Sequence, residues 1–271
     1  MNKIAAKNSS EDAPSAVELK KQMDTMLEHY LASNPVVKNN SQMNELEVRF
    51  GTNPKKGKFI SKVEYDNVIM KLLSCGFRCD NMAGSTMLRI IPEYVDKVTG
   101  VVKMSNIRAE IMGAELVQQY CRTNSIKKLA DMPVNNDYKM KFTRKTTALS
   151  PSDSKPILKI IFDDFNFNVS YNMEQDFPVD SKNVADMVRG WTENRKTFRL
   201  INRVRFYKED TPIVVDLSIV RNSRMSGGVM VPTHSMEESG IFKNPEHCEI
   251  ELEVDNAKVG VGTEYTKENV K

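Results

Sequence analysis

Two short stretches of the chain place carboxylates at every second position. The first is Glu45-Leu46-Glu47-Val48-Arg49-Phe50, and the second is Glu249-Ile250-Glu251-Leu252-Glu253-Val254. Because β-strand side chains alternate between two faces, each stretch predicts a strand with one charged face and one apolar face. Carboxylates crowded on one face repel each other and resist burial, and oxygen-only clusters suit Mg²⁺ or Mn²⁺. The pattern therefore predicts a divalent-metal site if the two strands lie side by side.

A single acidic strand would have a simpler explanation, because antiparallel sheets commonly turn one polar face to water. That alternative stays open for each stretch by itself. Basic side chains, however, alternate in the same way on segments between the two acidic stretches: Lys139, Lys141, Arg199, Arg203 and Arg205. In a small barrel every strand points alternate residues inward, so these groups would share a charged lumen suited to a polyanion such as a triphosphate. Repulsion among the carboxylates predicts that Glu47→Ala or Glu251→Ala leaves metal-free stability unchanged or raises it.

The elements that position these residues are mostly short strands. Amphipathic helices are expected after Ser15 and Ser61, each of which begins a capping-box pattern, and shorter helices at 114–121 and 180–190. From about residue 85 onward, alternating segments predominate, giving about eight to ten strands. This order favours a mainly β (α+β) fold with a closed or nearly closed antiparallel sheet over a doubly wound α/β fold.

Composition limits the remaining options. The 271 residues are 40% hydrophobic and carry a net charge of +3, which is enough apolar content for a core and too little charge for a polycation. Residues 1–14 are expected to be disordered, and they lack the apolar segment of a signal peptide. Residues 15–271 are expected to form one domain. No apolar run is long enough to predict a membrane span. The four cysteines and three histidines do not have the spacing of a zinc site. The cysteines are therefore expected to be reduced thiols in an intracellular protein.

These residues resemble the triphosphate tunnel metalloenzyme family, whose members carry a first-strand E-x-E, an alternating acidic last strand and basic strands between them. Within that family the chain looks most like the RNA 5′-triphosphatase module of capping enzymes from large DNA viruses, which is similar to the fungal enzyme. The likeness spans roughly residues 44–254. Its segments are Glu45 to Gly51, Ser105 to Ile111, Tyr120 to Asn124, Lys196 to Arg199, Val215 to Val220 and the acidic strand 249–254.

The resemblance implies an eight-stranded β-barrel tunnel with flanking helices that hydrolyses the γ-phosphate of triphosphate-ended RNA with Mg²⁺ or Mn²⁺, the first step of mRNA capping. It assigns metal ligation to Glu45, Glu47, Glu249, Glu251 and Glu253. It assigns catalytic roles to Glu45, Glu47, Arg199, Arg203, Asp216, Glu251 and Glu253. It assigns phosphate contacts to Arg108, Lys139, Lys141, Lys196, Arg199, Arg203 and Arg205. Glu110 and Asp216 would lie inside, orienting basic groups or the attacking water.

The expected partner is the 5′-triphosphate end of RNA, with no membrane partner. The resemblance also allows a guanylyltransferase domain or subunit as a partner. The nucleotidyl transferase motif K-x-D-G is absent from this sequence. With such a partner, the chain would be one module of a larger capping enzyme. If the protein is viral, it is expected in the host cytoplasm, at the viral factory, or in the virion. Two alternatives stay open: a tunnel enzyme acting on inorganic tripolyphosphate, thiamine triphosphate or nucleotides, and a non-catalytic barrel that binds RNA ends or protein partners.

Overall fold

The structure is a computed structural model that describes residues 15–33, 42–51, 59–130 and 139–259. The expected disorder of residues 1–14 lies outside this part of the chain. The described α-helices are α1 (Ala16–Ala32), α2 (Lys62–Ser74), α3 (Ala114–Thr123), α4 (Lys127–Ala130) and α5 (Lys182–Arg189). None of them combines the length and the apolar composition that crossing a membrane requires.

Strands make up most of the rest of the described chain. In order they are β1 (Gln42–Phe50), β2 (Ser85–Val95), β3 (Val102–Met104), β4 (Arg108–Met112), β5 (Lys139–Thr147), β6 (Ile160–Phe162), β7 (Phe167–Phe177), β8 (Lys196–Phe206), β9 (Ile213–Asn222), β10 (Met225–Ser226), β11 (Val229–Met230) and β12 (His247–Val254). Within the described ranges, short 3₁₀ turns cover Asp163–Phe165 and Asn256–Lys258.

Eight of the described strands close into an antiparallel barrel. The order around it is β1, β12, β9, β8, β2, β4, β5 and β7, and β7 pairs with β1 to complete the ring. Strand β6 extends the sheet beside β7, and β3 forms a hairpin with β2. The predicted fold class, a mainly β protein with a closed eight-stranded antiparallel barrel and flanking helices, is confirmed.

The hydrophobic core lies mainly on the outside of the barrel, beneath the helices. Leu46 of β1 packs with Met26 and Tyr30 of α1, while Tyr65 of α2 packs with Phe206 of β8. The largest cluster joins α3 and α5 to β2, β4 and β8. Because the apolar face of each strand is used for this outer packing, strand alternation directs the charged face into the lumen.

Local sequence signals explain where the first helices begin. Ser61 accepts a hydrogen bond from the Glu64 backbone amide, and Glu64 accepts one from the Ser61 amide, which completes the predicted capping box of α2. Ser15 caps α1 through the Glu18 amide. Both helices then lie on the outer wall of the barrel, so these caps help to fix the strands beneath them.

Candidate active site

The two acidic strands are neighbours in the barrel. Strands β1 and β12 pair antiparallel, with Glu47 opposite Glu253 and Arg49 opposite Glu251. On the other side of β12, Asp216 of β9 lies opposite Glu251. Carboxylates from the two ends of the sequence thus meet on one wall of the lumen, as the alternating pattern predicts.

Lys145 of β5 contacts both β1 carboxylates. Its Nζ lies 3.0 Å from both carboxylate oxygens of Glu47 and also contacts Glu45. Glu47 is only 4% exposed and also accepts hydrogen bonds from Ser170 Oγ at 2.9 Å and Asn172 Nδ2 at 3.2 Å. Burial raises the pKa of the Glu45 carboxyl to about 7, an effect that the Lys145 charge opposes and the Glu47 charge reinforces. This corner of the lumen therefore holds more negative charge than its lysine offsets.

Three arginines of β8 contact carboxylates of β9 and of the second acidic strand, β12. Arg203 donates from Nη1 to Asp216 at 2.8 Å and from Nη2 to Glu251 at 3.3 Å, while Arg199 contacts Glu249. Arg205 forks onto Asp216, with Nε and Nη2 each 2.7 Å from a carboxylate oxygen.

The charges in this part of the lumen decide how its carboxylates ionise. Burial opposes ionisation of Glu251, but the charges of Arg49 and Arg203 outweigh it and lower the pKa of that carboxyl. Burial raises the pKa of the Glu253 carboxyl, and Arg205 only partly offsets this effect. Asp216 is 1% exposed, so it acts as a buried clamp that sets the direction of two guanidinium groups.

A second clamp lies across the lumen at Glu110 of β4. Its Oε1 accepts hydrogen bonds from Arg89 Nε at 2.7 Å and Arg108 Nε at 2.8 Å, and Lys141 Nζ lies 3.6 Å from Oε2. Arg108 also reaches Glu174 Oε1 at 2.6 Å. Burial opposes its ionisation, but the three basic neighbours lower the pKa of the Glu110 carboxyl. The basic groups of β2, β4 and β5 are thereby fixed around one buried anion.

Open space adjoins these charges. A cavity of about 650 Å³ is lined by Glu47, Arg49 and Lys145 together with residues of β7 and the loop before β6. Arg199 Nε is buried and has no hydrogen-bond acceptor among the described residues. The cavity, with an arginine and a lysine in its lining, has the room and the charged donors that a phosphate chain requires.

Most residues predicted for the site share this lumen. Those with lumen contacts are Glu45, Glu47, Arg108, Lys141, Arg199, Arg203, Arg205, Asp216, Glu249, Glu251 and Glu253. Lys139 lies on the same face of β5 but is exposed at the first residue of the strand. The structure thus brings the acidic strands and the basic strands together, and their individual roles remain predictions.

Lys196 is the exception and corrects the prediction that it contacts phosphate. An odd number of positions separates it from Arg199, so its side chain points to the outer face of β8. It is fully buried there, and its Nζ donates to the Trp191 carbonyl at 2.6 Å and the Asn194 carbonyl at 2.7 Å. Burial lowers the pKa of the Lys196 ammonium to about 8. Its position indicates a structural role beneath the turn that precedes β8.

Four charged residues of the lumen were not predicted from the sequence: Arg89, Lys145, Glu174 and Asp176. Lys145 continues the alternation of Lys139 and Lys141, so extending the predicted strand by two residues would have found it. Arg89 is a single charge in an otherwise apolar segment, a pattern that predicts only an exposed position at the end or edge of a strand. Glu174 and Asp176 lie in a polar half of β7 that composition alone does not mark as a strand.

The donor set fits a hard divalent cation, although the described residues contain no group of three acidic, histidine or cysteine side chains placed to hold one. Carboxylate oxygens are the ligands that Mg²⁺ and Mn²⁺ prefer. Between Glu45 and Glu47, the ammonium of Lys145 occupies the place where such a cluster needs a positive charge. The residues that would hold a metal are Glu45 and Glu47, together with the facing Glu251 and Glu253 of β12.

No protein-family model matches this chain, and no curated protein matches it in sequence. Its fold, however, matches the triclinic crystal structure of the Mimivirus capping enzyme triphosphatase. The TM-score is 0.51 and the identity 14%, and the match covers 89% of this chain and 89% of that one. The chain has the tunnel fold of that triphosphatase. At this identity the likeness concerns the fold, and the tunnel described above is the part of it that bears on function.

Two further solved structures are similar to this chain in fold. A monoclinic crystal structure of the Mimivirus capping enzyme triphosphatase has a TM-score of 0.49 at 13% identity, covering 90% of each chain. The S. pombe Pct1 RNA triphosphatase has a TM-score of 0.42 at 13% identity, covering 94% of this chain and 85% of that one.

Proposed function

We propose that this protein is a divalent-metal-dependent RNA 5′-triphosphatase that removes the γ-phosphate in the first step of mRNA capping. The observation that carries the proposal is the closed barrel in which acidic strands β1 and β12 pair with each other and face arginines and lysines of the other strands. The fold shared with the Mimivirus capping enzyme triphosphatase supports the choice of reaction. Such an enzyme would act beside a guanylyltransferase in the compartment where capping occurs.

Charge balance in the lumen supports a metal requirement. Within the described part of the lumen, the arginines and lysines that are not fully exposed contact carboxylates, as Lys145 does with Glu47 and Arg203 does with Asp216. A triphosphate would add several negative charges to a compartment that is close to neutral. Burying uncompensated charge is costly, so the anion must enter together with a cation. A metal bound at the acidic wall would polarise the phosphate oxygens and neutralise the charge that develops on them.

The basic residues would position the phosphates. Phosphoryl transfer depends mostly on alignment and charge neutralisation, and fixed guanidinium groups supply both without reorganising during the reaction. Asp216 holds Arg203 and Arg205, and Glu110 holds Arg89 and Arg108. In the reaction, water attacks the γ-phosphorus, the bond from that phosphorus to the bridging oxygen breaks, and a lumen carboxylate accepts the proton of the attacking water. The products are orthophosphate and diphosphate-ended RNA.

The discriminating experiment measures phosphate release from triphosphate-ended RNA, inorganic tripolyphosphate and ATP, each with Mg²⁺, with Mn²⁺ and with excess chelator. The proposal predicts metal-dependent release with the highest kcat/KM on RNA. Higher kcat/KM on tripolyphosphate or ATP would indicate a small-molecule tunnel phosphatase instead. RNA binding without release from any substrate would indicate a non-catalytic RNA-end-binding barrel.

A further inference from the structure

A second cavity, of about 430 Å³, opens at the end of the tunnel where β12 begins. On its inner side it is lined by Arg49, Glu249 and Glu251, which belong to the charged lumen. On its outer side the lining is apolar and aromatic, with Phe59, His247 and Met225. Arg49 also lines the cavity beside Glu47, so the two spaces share one arginine in their linings. The cavity therefore suits a ligand with an anionic end and a flat apolar end.

The aromatic pair at this mouth is built by specific packing. Ile60 forms an antiparallel bridge to Cys248, which sets the neighbouring Phe59 beside His247. The two ring centroids are 6.1 Å apart with 36° between the planes. Ile60 itself packs against Gly51, where a Cβ would come within 2.7 Å of Ile60 Cγ1 and where φ is +68°. A residue with a side chain at position 51 would displace the segment that presents Phe59.

Phe59 gains little from this position in the protein alone. Its side chain is 60% exposed, and Met225 on the opposite wall is 53% exposed. Leaving a large aromatic ring in water forgoes the free energy that burial would supply. Exposed apolar groups mark binding sites when they adjoin one another, as Phe59, His247 and Met225 do in the lining of this cavity. Single-stranded RNA is recognised by stacking of unpaired bases on Phe, Tyr, Trp or His rings, next to basic groups that contact the phosphates.

We propose that this mouth of the tunnel holds the first nucleoside of the RNA, whose base stacks on the Phe59–His247 pair. The inference rests on the proposed function, because it takes the triphosphate to lie in the lumen beyond Arg49. Three alternate residues of β12 run from the mouth toward the lumen, in the order His247, Glu249 and Glu251. The base, the sugar and the phosphates follow one another in the same direction along the proposed ligand. Stacking tolerates any base, so the subsite would favour RNA ends over tripolyphosphate without selecting one sequence.

Equilibrium binding of short triphosphate-ended RNAs tests the subsite without requiring turnover. One RNA carries 2-aminopurine, whose fluorescence stacking quenches, as its first base, and a second RNA is abasic at that nucleotide. Wild type is expected to quench the first RNA and to bind the abasic RNA at least about 5-fold more weakly. Phe59→Ala is expected to weaken binding of the first RNA by about 5- to 150-fold, the range of one base–aromatic stack, and to leave the abasic RNA unaffected. Phe59→Trp should restore binding.

Tyr94→Ala is the matched control, since Tyr94 is an exposed aromatic residue at 43% that lines a separate cavity. Equal affinity of wild type for the two RNAs would overturn the subsite even if the Phe59 variant failed to fold. Equal loss on both RNAs in Phe59→Ala would also overturn it. The proposed function is tested separately, by phosphate release: wild type that binds and quenches but releases no phosphate keeps the subsite and loses the triphosphatase. Wild type that releases phosphate but binds the two RNAs equally would support the triphosphatase and exclude the subsite.

Discussion

Lys145 Nζ lies 3.0 Å from both carboxylate oxygens of Glu47, 98 positions earlier in the chain. The same ammonium contacts Glu45, so one lysine contacts both β1 carboxylates of the acidic wall, the buried Glu47 and the partly buried Glu45. Divalent metal bound at these carboxylates would compete with the lysine. The stability of the protein and its response to metal are therefore coupled through Lys145.

Lys145→Met is expected to lower the melting temperature of the metal-free protein, because Glu45 and the buried Glu47 both lose a positively charged partner. Breaking a buried pair in this way costs roughly 3–5 kcal/mol. Mg²⁺ or Mn²⁺ should raise the melting temperature of the variant by more than that of wild type, since metal replaces the missing charge. Thermal melts in chelator and in metal measure both effects. Lys97→Met is the control, because Lys97 is 87% exposed. Equal metal-induced shifts in Lys145→Met and wild type would contradict the coupling.

Glu47→Gln and Glu251→Gln are each expected to reduce phosphate release on the order of 10²-fold or more, as loss of a preorganised charged group does. The structure changes the expected effect on stability. Repulsion among carboxylates predicts that Glu47→Ala is neutral or stabilising, but Glu47 contacts Lys145 and Arg49 and is 4% exposed. Its removal takes one carboxylate partner from each of these partly buried cations, which then keep only Glu45 and Glu251 among the described residues, so the metal-free melting temperature should fall. Glu246→Gln, an exposed partner of Arg221, serves as the control for both readouts.

Arg203 and Arg199 are expected to differ from a simple phosphate anchor in their kinetics. If they stabilise charge in the transition state, alanine at one or both positions lowers kcat on the order of 10²-fold, with a smaller change in KM. Lysine at either position should restore activity only partly, because it lacks the two-pronged donor that reaches Asp216 and Glu251 from Arg203. Steady-state kinetics on triphosphate-ended RNA measures this. Arg221→Ala on the outer face is the control, and wild-type kcat in both alanine variants would exclude a catalytic role.

Lys196 should make the protein more stable as the pH rises above about 8. Burial lowers the pKa of its ammonium from 10.5 to about 8, so between these values the unfolded chain binds more protons than the folded one. The free energy of unfolding therefore rises with pH across that window, by an amount on the order of 3 kcal/mol for this group. Urea denaturation at pH 7.5, 9 and 10 compares wild type with Lys196→Met. The difference between the two should grow in favour of wild type, and a constant difference would contradict the lowered pKa.

Much of the fold follows from the alternation of charged and apolar residues. Glu45 and Glu47, and later Glu249, Glu251 and Glu253, each mark a strand whose apolar face packs outward, and the capping residues Ser15 and Ser61 mark the starts of α1 and α2. These signals are local, with a period of two residues in strands and a fixed three-residue offset in caps. They therefore predict the elements and their faces well.

Partner choice and strand length are less accessible from the sequence. Whether Lys145 compensates Glu47 depends on how β5, β7 and β1 neighbour each other in the barrel, which no short-range pattern encodes. Strand β7 continues to Phe177 through Glu174 and Asp176, because pairing with β5 outweighs their low β-propensity. Lys196 shows a different limit, since the resemblance of the segment Lys196 to Arg199 implied a phosphate contact, while strand alternation places Lys196 on the face opposite Arg199.

The most direct test of the account uses RNA labelled in its γ-phosphate or in its α-phosphate, with wild type and Glu47→Gln compared in Mg²⁺, in Mn²⁺ and in chelator. The account predicts that wild type with metal releases the γ-label as orthophosphate and leaves the α-label on diphosphate-ended RNA. Chelator should abolish this release, and Glu47→Gln should reduce it on the order of 10²-fold or more. Undiminished release in excess chelator, or release of pyrophosphate in place of orthophosphate, would contradict the account.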